Sequence, residues 1–360
     1  MSVTRSSINK GSRPTVRDVA RLAGVSVGTV SRVVNEVNNV TPLTRSRVKE
    51  AMVALNWKPS MLAQNMREKT SRMIGFVFSD LDNPLFSSMI KGAESVLTRA
   101  GYQLIVGSSN ESPQQECRLV ELFGQRQADG LIFTITDETN PDVLASLSLA
   151  NFPVVMIERD VSVQIAGKVV ADHYEGTLQA TRYLLDLGHR RVALITGGHS
   201  NFVGRDRLLG YLQAHRDCGI EPDPALIRTS ERVADAAFGG RQMQLLFALN
   251  SAPTAVLALG RRLLRGVLSA CRAADIRIPQ DMSLITTNDS ELAELVQPAV
   301  TVVRYSAFEL GCEAAHMLLH RLGTVGEWNA STIVVPTELV VRESCARPQQ
   351  EPGWTGPHDD

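Results

Sequence analysis

Residues 15–35 read Thr15-Val16-Arg17-Asp18-Val19-Ala20-Arg21-Leu22-Ala23-Gly24-Val25-Ser26-Val27-Gly28-Thr29-Val30-Ser31-Arg32-Val33-Val34-Asn35. Thr15 with Asp18 three positions on makes a capping-box pattern: the hydroxyl can take an orphan amide, and the carboxylate favours the positive helix end. Val16, Val19, Ala20 and Ala23 then recur at helical spacing. Gly24 suits the left-handed residue that ends a helix, and Ser26 suits the next N-cap. A second helix runs from Val27 to Asn35, with Val30, Val33 and Val34 facing inward. Its outer face shows Val27, Gly28, Ser31 and Arg32. Two short helices joined by a Gly-containing turn form a helix-turn-helix, whose second helix enters the major groove with its N-terminal residues first.

Arg32 is the outer side chain with the chemistry for a bidentate contact to guanine, worth about 1–3 kcal/mol of discrimination. Val27 offers only apolar contact, for instance to a thymine methyl. Gly28 allows close approach, or is merely a poor helix residue tolerated at the second position. Thr41-Pro42 reads as N-cap and first residue of a third helix, with Val48, Ala51, Met52 and Leu55 as its buried stripe. Arg45, Arg47 and Lys49 lie on its polar side as neighbours of phosphate rather than base readers. Pro59-Ser60 then opens the stretch Met61 to Arg67. It fits either two helical turns that fold only on docking or a plain linker.

Charge separates this segment from the rest. Residues 1–72 hold 13 basic and 4 acidic residues, whereas the remainder holds 24 basic and 34 acidic. A basic head on an acidic body is the footprint of a chain that meets a polyanion with one end. No run of about 18 apolar residues suggests a membrane span. Met1 to Pro14 has no apolar core of a secretory signal, which points to a cytoplasmic protein. The five cysteines are scattered and none forms a CxxC, as expected for free thiols in a reducing compartment.

From Met73 the pattern alternates. Apolar runs Ile74–Phe78, Leu104–Val106, Gly130–Ile135, Val154–Ile157, Val192–Ile195, Ala255–Leu259 and Met282–Ile285 read as buried parallel strands. Helical patterns separate them, as in Met89–Ala100, Cys117–Gln125, Gly176–Leu187 and Arg205–Cys218. This rhythm implies doubly wound sheets, and the length implies two lobes with a cleft. Ligands bind at the carboxyl ends of strands in such folds, so the loops starting at Ser79, Glu158, Thr196, Gly260 and Thr286 are the ones to watch.

The 15–35 string closely resembles the head of the lactose/galactose-repressor (LacI–GalR) family. Trp57-Lys58-Pro59-Ser60, Ala63 and Met66 resemble that family's hinge helix. Asp80 to Phe86, Leu187 to Ala193, Arg207 to Tyr211 and Pro298 to Val303 look like its core signatures, and that core resembles periplasmic sugar-binding proteins. The resemblance covers roughly residues 15–342. It implies base readers at Val27, Gly28 and Arg32, with Thr29, Ser31 and Asn35 on the same helix. It also implies a minor-groove wedge at Met66, where the family usually carries Leu, flanked by Ala63 and Arg67. Effector contacts fall by position on Leu85, Phe86, Glu158, Arg207, Gly260 and Asn288. The family often has Asn-Asp where this chain has Gly260-Arg261, and Asp where it has Asn288. Fewer carboxylates, and Arg261 near Arg207, Arg205 and Arg159, shift the cleft toward positive. That favours an anionic effector such as a sugar acid or sugar phosphate, unless the arginines pair with Glu158, Asp160 or Asp206.

The expected fold is therefore an all-α helix-turn-helix head plus an α/β two-lobed, periplasmic-binding-protein-like core of two doubly wound parallel sheets. The expected divisions are a disordered basic arm (1–13), the head (14–58), the hinge (59–70), the core (71–344) and a disordered tail (345–360). The resemblance implies a transcription regulator, repressor ahead of activator, with double-stranded palindromic operator DNA and a small carbohydrate-like effector as partners. A homodimer is expected and a tetramer is left open. A sugar-binding protein of transport is the competing class, opposed by the basic head. No phosphate loop, nucleophile elbow or His-Glu-x-x-His motif suggests an enzyme. No cofactor or metal is expected: His316 and His320 have helical spacing but no third ligand nearby. His189 reads as a helix-end residue favourable to the dipole.

Overall fold

A computed structural model describes residues 14–35, 39–58, 70–198, 201–230, 235–260, 262–324 and 330–349. The chain forms two compact units, Met1–Ser71 and Arg72–Asp360. The expected hinge residues Ala63, Met66 and Arg67, and the cleft residue Arg261, lie outside the described residues.

The first unit holds three helices, α1 (Val16–Ala23), α2 (Val27–Val34) and α3 (Pro42–Ala54). The Asp18 carboxylate accepts from both Thr15 N and Thr15 Oγ1, at 3.0 and 2.7 Å, fixing the first turn of α1. Gly24 has φ 64° and ends that helix, a conformation that costs a residue with a Cβ roughly 1 kcal/mol or more. Ser26 Oγ accepts from Thr29 N and Thr41 Oγ1 from Thr44 N, capping α2 and α3. Val19, Val30 and Val48, one from each helix, are fully buried at the centre.

The second unit has two lobes. Lobe 1 has the strand order β11-β5-β4-β3-β1-β2, all parallel: β1 (Met73–Phe78), β2 (Gln103–Ser108), β3 (Gly130–Phe133), β4 (Val154–Ile157), β5 (Gly167–Ala171) and β11 (Ser331–Val335). Lobe 2 has the order β12-β10-β9-β8-β6-β7: β6 (Val192–Gly197), β7 (Ile227–Ser230), β8 (Ala255–Leu259), β9 (Ser283–Thr287), β10 (Thr301–Arg304) and the antiparallel β12 (Glu338–Val340). Helices cover both faces of each sheet. In lobe 1 they are α4 (Pro84–Arg99), α5 (Pro113–Gln125), α6 (Pro141–Ser148) and α12 (Ala307–Gly323). In lobe 2 they are α7 (His173–Asp186), α8 (Phe202–Asp217), α9 (Ala236–Phe247), α10 (Leu263–Ala273) and the short α11 (Glu291–Leu295). The chain passes between lobes after β5, β10 and β11. Each lobe therefore contains non-contiguous sequence, and the cleft lies where strand ends of both lobes meet.

The central strands β1, β3, β4, β6, β8 and β9 are buried almost throughout, as their apolar runs require. The run Leu104–Val106 departs from that expectation. It lies on edge strand β2, where Ile105 and Val106 are exposed. The tail departs too, because its expected disorder begins too early. Ser344 Oγ accepts from Thr301 N at 2.9 Å, Leu284 N donates to Ser344 O, and Ala346 N donates to Ser283 Oγ. Residues 344–346 are thus bonded to lobe 2, while 350–360 lie outside the described residues. His189 is also not a dipole-facing cation. It is buried, with its ring between Thr254 Oγ1 at 2.8 Å and the pair Ser283 Oγ and Ala346 O at 3.0 and 2.9 Å. Burial pushes its pKa down, which favours the neutral imidazole.

Candidate recognition helix and interlobe cleft

On α2 the buried Val30 and Val33 fix which face is presented outward. Val27, Gly28 and Arg32 are exposed, as the groove-reading assignment requires. Thr29 is partly committed: its hydroxyl lies 3.0 Å from Ser26 Oγ within the cap. Asn35 Nδ2 donates to Ser31 Oγ at 3.4 Å, so these two polar side chains support each other at the helix end. Of the three cations assigned to the backbone-facing side of α3, Arg47 does something else. Its Nη2 donates to Ala23 O at 2.7 Å, satisfying a terminal carbonyl of α1 and tying α3 to it. Arg45 and Lys49 remain on the exposed or half-exposed side.

In the second unit a cavity of about 140 Å³ opens between the lobes. Leu85, Phe86, Glu158, Arg159, Arg207 and Gly260 all line it, so six of the eight expected effector residues converge. Asn288 does not join them. It lines an adjoining recess that shares Leu85 and Tyr305 with the cavity, and its Oδ1 accepts from Tyr305 N at 2.9 Å. Its Nδ2 is buried with no hydrogen-bond partner among the described residues. Phe86 lines the cavity yet is mostly buried against Phe78, its ring centroid 5.3 Å away, so it is as much core as platform.

Glu158 contributes less free acceptor capacity than its position suggests. Its Oε1 accepts from Ala171 N at 2.6 Å and its Oε2 meets His173 Nε2. Burial would raise this carboxyl, but His173, the Ala171 amide and Arg159 together hold it below the usual carboxylate range. His173 is in turn fixed edge-on against Tyr305.

The two cleft arginines behave differently from a paired set. Arg159 on lobe 1 donates from Nε to Ile135 O and from Nη1 to Glu158 O, both at 2.7 Å. Arg207 on lobe 2 donates from Nη1 to Leu259 O at 2.7 Å. Among the described residues neither forms an ion pair with a carboxylate. Of the three carboxylates that the sequence offers as partners, Asp160 pairs with Lys168 at 2.8 Å and Glu158 with His173, while Asp206 forms no ion pair with either arginine among the described residues. Burial pushes both guanidinium pKa values down, but an arginine stays protonated. The interior of the cleft therefore presents two guanidiniums, one from each lobe, together with the Glu158 carboxylate, which acts on both through space.

Two lining residues, Thr134 and Arg262, and one residue outside the lining, Glu138, escaped the sequence reading. Thr134, immediately after β3, has a buried hydroxyl with no hydrogen-bond partner. Glu138, farther along the same loop, has a nearly fully buried carboxylate and pairs with Arg205 at 2.9 Å. Arg262 crosses the cleft to Asp80 at 2.7 Å and Glu111 at 3.3 Å. The rule that ligands bind at strand carboxyl ends could have found Thr134 and Glu138, since the loop after β3 is one of those ends.

Comparison with known proteins agrees with this architecture. Residues 15–60 match the model for bacterial regulatory proteins of the lacI family, and residues 181–345 match the periplasmic binding protein-like domain. The HTH-type transcriptional regulator DegA of Bacillus subtilis is 30% identical over 93% of this chain and 98% of its own length. The HTH-type transcriptional repressor PurR of Vibrio cholerae is 31% identical over 86% of this chain and 91% of its own length. The solved structure of the Lac repressor dimer bound to operator and the anti-inducer ONPF superposes with a TM-score of 0.79 at 27% identity. It covers 93% of this chain and 100% of that one. These relatives are transcription regulators rather than enzymes, and no helix among the described residues is long and apolar enough to cross a membrane. With a helix-turn-helix head, a two-lobed core and full-length relatives of both, the chain belongs to the LacI family of bacterial DNA-binding regulatory proteins.

Proposed function

We propose that the chain is a homodimeric transcriptional repressor. In this reading α2 of each protomer reads one half of a palindromic operator, and a small anionic, carbohydrate-like effector sets operator affinity. Repression and dimerisation are supported by the repressor relative PurR and by the Lac repressor dimer on its operator. The exposed apolar pair Ile105 and Val106 on edge strand β2 also suits a protein–protein contact. Val27, Gly28 and Arg32 are the base-facing set; Ala63, Met66 and Arg67 are the proposed minor-groove set.

The observation that carries the effector class is the pair Arg159 and Arg207. Buried charges are normally paired, because an isolated one costs several kcal/mol or more. Among the described residues these two donate hydrogen bonds only to backbone carbonyls, with Glu158 acting on both and Glu138 and Glu116 on Arg159 through space, and they face a common cavity from opposite lobes. A carboxylate or phosphate between them would accept from both guanidinium forks, which the Glu158 carboxylate acts on only through space, and would favour the closed arrangement over the open one, which is what an effector must do. Calorimetry with D-glucuronate, D-gluconate and D-glucose tests this. Binding of the acids with loss in Arg207→Gln is the expected result, and binding of glucose without either acid would refute the anionic reading. Selection from a random palindromic library tests the DNA half. No preference over random duplex at moderate salt would defeat it.

A further inference from the structure

Glu138 lies on lobe 1, yet most of its partners lie on lobe 2. Its Oε1 accepts from Asp160 N at 3.1 Å within its own lobe and from Phe202 N at 2.8 Å across the cleft. Its Oε2 accepts from Arg205 Nη2 at 2.9 Å, also across the cleft. Phe202 is the first residue of α8, so the carboxylate meets an orphan amide and the positive end of that helix dipole. Lys168 of lobe 1 stands over the Phe202 ring, 5.5 Å from its centroid, and adds a second contact to the same helix end.

The connectivity gives this contact a consequence. Asp160 is the chain neighbour of Arg159, and Phe202 and Arg205 lie within two turns before Arg207 on α8. One buried carboxylate thus ties together the backbone beside one cleft arginine and the helix that carries the other. Left alone, the two guanidiniums repel each other across the cavity. Glu138 holds the segments bearing them in register.

We infer that Glu138 is a positioning residue for effector binding: it latches the N-terminus of α8 to lobe 1 and so sets the fraction of the protein that is closed and competent to bind. The inference rests on the reading of the cleft as an effector site, but not on the effector being an anion. A latch of this kind acts on affinity through the competent population, since the apparent Kd rises in proportion as that fraction falls.

The test uses the full chain, with spin labels introduced as noncanonical residues at Leu149 and Leu245, which are exposed on lobes 1 and 2. Interlobe distances are measured without ligand, and the Kd for D-glucuronate is measured by calorimetry. Glu138→Gln and Arg205→Gln are each expected to lengthen the mean distance and weaken binding about ten-fold. The double variant should do little more than Glu138→Gln alone, because both remove one contact. Should Glu138→Gln fail to fold, the half-exposed Arg205→Gln still decides the matter. A lowered melting temperature with an unchanged distance distribution would overturn the latch and leave Glu138 a structural acid only. If D-glucuronate does not bind the native chain, the distance measurement by itself decides the latch.

Discussion

On α2, Arg32 is exposed while its neighbours Val30 and Val33 anchor the helix below, and the proposed reading gives its guanidinium a bidentate contact to guanine O6 and N7. Arg32→Ala should therefore relax preference at one operator position by about 1–3 kcal/mol. Lys49→Ala should weaken all sequences alike and reduce the salt slope by about one. Anisotropy titrations over single-base operator variants at two salt concentrations separate the two behaviours. Arg47→Ala should act differently from both. It removes the bond to Ala23 O and should cost the head about 1 kcal/mol of stability, read as a lower unfolding midpoint. The contrast shows the limit of reading residues from sequence. Helical spacing puts Arg45, Arg47 and Lys49 on polar positions of one helix, but which of them meets the open end of α1 depends on how α1 and α3 pack. The same applies in the cleft. Position identified Arg159 and Arg207, whereas the pairing of Glu158 with His173 requires β4 and α7 to be adjacent.

At the scale of elements, α4 and α12 approach so closely that side chains are excluded at the crossing. A Cβ on Gly311 would lie 1.9 Å from Met89 O, and one on Gly92 would lie 2.0 Å from Phe308 O. Backbone carbonyls cannot swing aside as flexible side-chain tips can, so Gly311→Ala should cost at least the 1–3 kcal/mol typical of overpacking. Gly323→Ala, at the end of the same helix with no described residue within 4 Å of the added Cβ, is the control and should be near neutral. Urea midpoints of the two variants test this; equal midpoints would mean the crossing has room to relax. The elements legible in the sequence were those with strong periodicity or unbroken apolar runs. Strands β5, β7, β10, β11 and β12 escaped because they are three to five residues long and carry polar residues such as Lys168, Arg228 and Thr332. With β10 went Tyr305, which follows it and lines the cleft. The exposed β2 failed for the opposite reason: its apolar run is real, but among the described residues nothing covers Ile105 and Val106.

The whole molecule divides by charge at the same place as by fold, with the basic excess in residues 1–72 and the unit boundary at Ser71. That division and the two-lobed core were legible because they rest on composition and long-range rhythm. The pinning of the carboxyl-terminal segment was not, because it depends on His189 meeting Ser283 and Ala346, residues 94 and 157 positions away. This pin makes the stability of the second unit depend on pH. Burial lowers the folded-state pKa of His189 below the ordinary value of 6.5. Below that value the unfolded chain takes up a proton that the folded chain refuses. The contribution of the neutral imidazole is therefore complete above about pH 6.5 and declines as pH falls, by at most about 1.4 kcal/mol per unit, until the folded-state pKa is passed. His215, also lowered by burial, acts in the same direction, whereas the raised pKa of buried Glu116 acts in the opposite one. A simple pH profile would mix all three, so the informative quantity is the difference between native chain and His189→Asn, in which the distant groups cancel. Asparagine cannot titrate, and its substitution should be more costly at pH 7.5 than at pH 5.5, by no more than about 1.4 kcal/mol. Denaturant midpoints of the full-length native and variant proteins at the two pH values give that difference directly. A gap that stays constant or widens as pH falls would show that the His189 ring is not held neutral between Thr254, Ser283 and the Ala346 carbonyl.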